Sequence, residues 1–180
     1  MKFKMHLIYI IIFIISFSLK SENDFDQIKL NIKLNNNNII KIKSIGKDEI
    51  LQGTFFGKIQ SLEDKNFDNA NLECDFMGRS YQGRGFSCGF AVIEDLQGYC
   101  YVNNNNEDIL ITNWTCNTTA GITGDAYCSG KLKIIQGFGK FAGVDGYGKI
   151  NMPIVKTITS EISSPTNILL SIKYPLSLKK

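Results

Sequence analysis

Between Gln27 and Tyr174 the chain alternates apolar and polar residues with a period of two, and almost nowhere with the 3.6-residue period of a helix. Gln27-Ile-Lys-Leu-Asn-Ile-Lys-Leu34 and Ile40-Lys-Ile-Lys-Ser-Ile45 are the clearest cases. Asn35–Asn38 lies between them and predicts a hairpin, because asparagine accepts left-handed turn geometry. Further strands are predicted over 49–60, 71–78, 85–94, 98–103, 108–116, 125–136, 147–159 and 167–174, with Gly, Asn, Asp or Pro in most of the gaps. A second asparagine run, Asn103–Asn106, predicts another hairpin. Short strands at this spacing specify an all-β sandwich or barrel.

The first 21 residues read as a signal peptide and are expected to lie outside the fold. Met1–His6 is basic, Leu7–Phe17 is apolar, and small residues at Ser18 and Ser21 offer cleavage after 18 or 21. The apolar run is too short to span a bilayer. The folded chain is then 22–180, a length that suits one domain with one core. Cleavage removes Lys2, Lys4 and Lys20 and leaves 17 basic against 17 acidic residues. A near-neutral chain has no electrostatic motive for nucleic acid or an acidic membrane surface. Cleavage also removes His6, the only histidine. Ser-His-Asp and Cys-His catalysis go with it, as does any zinc site needing imidazole. The expected location is secreted or periplasmic, with no membrane contact after cleavage.

All five cysteines, at 74, 88, 100, 116 and 128, would then meet an oxidising compartment, where disulfides are the default. A hairpin turning near Ser80–Gln82 sets Cys74 opposite Cys88; one turning at Ala120–Gly124 sets Cys116 opposite Cys128. Following the alternation from Cys88 through a turn at Asp95–Gly98 points Phe86, Phe90, Tyr99, Tyr101, Trp114 and Cys116 inward. Cys100 is then outward, as a free thiol. A single bulge would reverse that assignment. The same parity puts Asn113 and Asn117 on the outer face, each in an Asn-x-Thr sequon that a eukaryotic secretory pathway could glycosylate.

The segment Gly137–Gly148 has glycines at 137, 139, 143, 146 and 148 with aromatic residues between them. It reads as a kinked β-corner, since glycine takes φ > 0 without steric cost. Its Gly-x-Gly-x-x-x-Gly spacing is one residue too long for a dinucleotide loop and no βαβ pattern surrounds it. Glu94 and Asp95 are adjacent, point to opposite faces of a strand and cannot act as a catalytic pair; Asp95-Leu-Gln-Gly98 reads as a turn. Arg79, Tyr81 and Arg84 bracket one hairpin tip and could hold an anion, although solvated loop arginines are commoner. No cofactor and no metal site is expected.

The run Gly137-Phe-Gly-Lys-Phe-Ala-Gly-Val-Asp-Gly146 resembles the Gly-x-Gly-Lys-Phe-x-Gly-x-x-Gly signature of the allene-oxide-cyclase and dirigent-like barrels, and in particular of secreted bacterial proteins with that barrel. Cys74, Gly83, Gly85, Cys88, the Trp114-Thr-Cys116 strand and Cys128-Ser-Gly130 extend the resemblance over about 50–150. Leu96-Gln97 departs from the more acidic turn of those proteins. The resemblance implies a single antiparallel barrel of about eight strands and brings no catalytic residues with it. The expected protein is a disulfide-stabilised barrel, binding a small apolar ligand in its lumen. One alternative is a cyclase- or dirigent-type enzyme that guides a reactive intermediate by confinement. Another is a non-catalytic structural or interaction protein, with homo-oligomerisation left open.

Overall fold

A computed structural model describes residues 25–35, 37–81, 93–104, 107–120, 126–154 and 166–175. Its elements are nine strands: β1 Asp26–Leu34, β2 Ile39–Ile45, β3 Asp48–Gln60, β4 Asn71–Ser80, β5 Glu94–Asn103, β6 Ile109–Ala120, β7 Ala126–Gly137, β8 Asp145–Ile154 and β9 Thr166–Lys173. All pairings are antiparallel, in the order β1-β9-β8-β7-β6-β5-β4-β3-β2. A further pairing of β1 with the end of β3, from Asn31↔Gln60 to Leu34↔Gly57, closes eight of these strands into a barrel. Strand β2 is the ninth and lies outside the ring, on the first half of β3.

The alternation read from the sequence becomes an inner and an outer face. Ile28, Leu30, Ile32 and Leu34 of β1 point inward, as do Leu72, Cys74 and Phe76 of β4, and Leu132 and Ile134 of β7. Their polar neighbours Glu73, Asp75, Lys131 and Lys133 face solvent. Phe55 and Phe76 stack across β3 and β4 with centroids 4.2 Å apart. Several inward positions are glycine, and these let a closed sheet accept large neighbours. Gly98 opposes Trp114 across β5 and β6. A Cβ there would press into the Asp75 carbonyl oxygen and lie 2.9 Å from the indole nitrogen.

The glycine run divides between two roles. Gly139 and Gly143 hold left-handed φ angles of 60° and 74°, the first opening and the second just following a 3-10 turn, Gly139–Phe141, between β7 and β8. Gly137 ends β7 with no room for a side chain beside the Phe141 carbonyl. Gly146 and Gly148 lie within β8 and face inward, so they are part of the barrel wall rather than of the corner.

Two sequence expectations change. Asn35–Asn38 does not turn β1 back on β2. Both strands run antiparallel to β3, one after the other along the same edge. Asn35 donates its N–H to the Phe56 carbonyl, and Asn38 Oδ1 accepts from the Phe56 N–H. The register along β3 passes from Leu34↔Gly57 to Ile39↔Thr54, so β2 continues the edge that β1 leaves. Asp95–Gly98 is no turn either, because it lies inside β5. Asp95 takes φ 52°, and Asp95 and Leu96 together face the single Gly78, so the left-handed residue makes a bulge and the strand continues. The hairpin at Asn103 is present, joining β5 to β6.

One end of the barrel is plugged by the chain itself. The 61–70 connection folds over it on local hydrogen bonds, Asp64 N–H to Ser61 Oγ and Asn66 N–H to Asp64 Oδ1. It inserts Phe67 beside Phe141 of the 3-10 turn, with centroids 5.3 Å apart; both rings are wholly buried. Tyr174 ties the plug to the end of the chain: its hydroxyl donates to Asp64 Oδ2 at 2.6 Å and accepts from Asn66 Nδ2 at 3.3 Å. Burial, and then the bond donated to Asp64, hold the Tyr174 pKa above the ordinary tyrosine value.

The folded state thus keeps a proton that the unfolded chain releases near pH 10, so Tyr174 contributes stability below about pH 10 that is lost as pH rises further. Tyr174→Phe should cost about 1–2 kcal/mol near neutral pH and flatten the loss of stability above pH 10. Denaturant unfolding of both proteins at pH 8, 10 and 11 checks this. Parallel pH profiles would contradict it.

Candidate functional site

The barrel lumen is where the sequence pointed, and its walls come from all eight ring strands. Around Trp114 of β6 lie Ile32 and Leu34 of β1, Phe55 of β3, Leu72 of β4, Leu132 of β7, Ile150 of β8 and Ile168 of β9. Trp114 is 5% exposed. The side chains leave a cavity of about 50 Å³ with a wholly apolar wall. That is about a third of the ~150 Å³ needed to take up benzene in an engineered protein cavity. Among the described residues that line it there is no carboxylate, lysine or arginine. Thr112 Oγ1, Thr166 Oγ1 and Trp114 Nε1 are buried without a hydrogen-bond partner among the described residues. Such groups cost stability, which a tightly packed wall must offset.

Two of the other proposed lining residues are not in the lumen. Tyr99 and Tyr101 are 54% and 42% exposed and stand on the outer face of β5. There they oppose Asp75 and Glu73 of β4, and Asn113 and Ile111 of β6. The cause is the Asp95 bulge: with no turn at 95–98, Leu96, Gly98, Cys100 and Val102 take the inward positions. Phe86 and Phe90 lie outside the described residues. Asn113 and Asn117 face outward, the first half-buried and the second exposed.

The same shift in parity corrects the disulfides. The β4–β5 register sets Cys74 directly opposite Cys100, and these two are bonded, with Cα atoms 4.0 Å apart. Cys74 therefore does not pair with Cys88, and Cys100 is not a free surface thiol: it is buried and part of the lumen wall. Cys116 and Cys128 form the second disulfide. They are diagonal neighbours rather than direct opposites, because Cys116 faces Gly130 and Cys128 faces Thr118. Gly130 makes the diagonal feasible, since any Cβ there would collide with the Thr115 carbonyl oxygen and the Cys116 side chain. Cys88, outside the described residues, is the one cysteine these two bonds leave over.

Charged groups collect at the barrel end from which β2 projects. Glu49 is only 7% exposed and opposes Ser80 across β3 and β4 and Ser44 across β2 and β3. It is the buried carboxylate of the described residues, yet it does not line the cavity. Arg79 pairs with Asp48 at 3.6 Å and lies over the Tyr81 ring at 3.6 Å, while the Tyr81 hydroxyl donates to Asp95. The Arg79 guanidinium is thus engaged within the protein, and Arg84, the other arginine of that hairpin tip, lies outside the described residues. Among the described residues no three His, Cys, Asp or Glu side chains converge as a metal site.

Replacing Cys74 and Cys100 together by serine should lower stability by about 3 kcal/mol and Tm by roughly 6–12 °C, from the lost constraint on the unfolded chain. Thermal unfolding measures it, and an unchanged Tm would contradict the bond. Alkylation of the denatured, unreduced protein followed by peptide mapping should label one thiol, at Cys88. Label on Cys100 would contradict the pairing.

No family model matches the chain, nor does any curated protein or any solved structure.

Proposed function

We propose that the protein is an exported, disulfide-stabilised β-barrel without catalytic chemistry, working as an interaction module through its outer surface. The observation that carries this reading is the filling of the lumen: side chains packed around Trp114 leave about 50 Å³, without a titratable group in the wall. A pocket that binds a small molecule usually offers 300 Å³ or more, with a few convergent polar groups. The outer face is better equipped for recognition. It displays Tyr99 and Tyr101 side by side on β5, flanked by carboxylates and Asn113, and tyrosine is enriched where proteins meet partners. Two disulfides suit an oxidising compartment, which supports export by the signal-like N-terminus. Kinship with the allene-oxide-cyclase and dirigent-like barrels belongs to the same reading and draws support from the closed eight-stranded architecture.

Trp114 is the only tryptophan and lines the cavity, so its fluorescence reports on lumen occupancy. Titration with benzene, indole and a long-chain fatty acid should leave its emission unchanged at ligand concentrations up to about 1 mM. A saturable shift of the emission would overturn the reading and return the lumen to its place as the binding site.

A further inference from the structure

Strand β2 is hydrogen-bonded to β3 alone; among the described residues nothing pairs with its second edge. A free edge presents a row of unpaired backbone donors and acceptors. Here it also presents apolar side chains, with Ile39, Ile42 and Ile45 exposed by 51%, 44% and 52%. Lys41 and Lys43 stand on the outer face, opposite Gln52 and Ile50 of β3, and neither has an ionic partner among the described residues. No acidic residue lies on the strand.

A second copy is the first occupant to consider, and the charges argue against it. Two β2 strands related by a two-fold axis would pair antiparallel with like faces together. Each such register that overlaps five or more residues sets a lysine against a lysine: Lys41 against Lys43, Lys41 against itself, or Lys43 against itself. Directly opposed like charges destabilise a sheet, and edge lysines discourage self-association for that reason. The same two charges attract a strand of opposite sign.

We propose that β2 is a strand-addition site for an extended acidic segment of another protein. The segment carries carboxylates at alternate positions facing Lys41 and Lys43, and apolar side chains between them facing Ile40 and Ile42. Main-chain hydrogen bonds would supply affinity, and the alternating side chains selectivity. The proposal rests on the reading of the protein as an interaction module and names the surface and the partner class.

The test uses the whole protein and a blocked seven-residue peptide that alternates glutamate and valine, with lysine replacing glutamate as control. The glutamate peptide should bind saturably and slow hydrogen exchange over 39–45, with affinity falling as salt rises. In Lys41→Glu/Lys43→Glu its affinity should fall about tenfold, while the lysine peptide gains. Equal binding of the two peptides, or binding of neither, overturns the proposal. So does slow exchange in the free protein at the amides of 39–45 that point away from β3, which would mean the edge is already covered, or a dimer whose formation protects those amides. The Trp114 titration is independent of these outcomes: lumen occupancy would sink the interaction reading even if the peptide bound, and failure of the peptide leaves the filled lumen as it stands.

Discussion

The whole architecture depends on four residue pairs, Asn31↔Gln60 to Leu34↔Gly57, that join β1 to β3. Without them the nine strands would form an open twisted sheet, with Ile32, Leu34 and Phe55 exposed along a seam. With them, the inner faces converge on one core, and the edges of β1 and of the end of β3 cover each other while that of β2 stays open among the described residues. Closure explains the inward glycines, because a small ring has no room for a large side chain at every inner position. It also explains why the lumen is nearly full: Trp114 sits over Gly98, and the remaining space suits no ring-sized ligand.

The barrel has two unlike ends. One is sealed by the Phe67 and Phe141 rings and by the Tyr174, Asp64 and Asn66 hydrogen bonds. From the other projects β2, with Glu49, Arg79 and Tyr81 beside it. Rigidity is concentrated at the first end and along the Cys74–Cys100 rung, and the exposed backbone at the second. A stable scaffold that presents one free strand is a common arrangement for recognition.

Fold class was legible because period-two alternation is a local signal, and burial of the even-numbered side chains of β4 follows it without exception. The errors share one cause. Asp95 and Asn35–Asn38 carry the chemistry of turns, and asparagine and aspartate take left-handed or bulged backbone equally well within a strand. Whether the chain reverses or continues depends on the partner strand, which is remote in sequence: Phe56 for the asparagine run, Gly78 for Asp95. One misplaced turn then moved Tyr99, Tyr101 and Cys100 to the wrong face. The correcting signal lies in Leu96 and Val102, apolar residues that share the phase of Cys100 and are buried with it. The exposed edge of β2 was not legible, because its alternation is that of an ordinary half-buried strand.

The seam has a consequence for how the protein comes to exist. Strand β1, the first to be synthesised, finds its neighbours in β3 and in β9, where Asp26 meets Ile172. The ring therefore cannot shut until β9 has been made, and loop closure over so long a separation is slow. A chain that stays open until β9 arrives lacks its finished core until that strand docks. The Cys74–Cys100 rung joins β4 to β5 and needs no part of β9, so it can form before the ring closes.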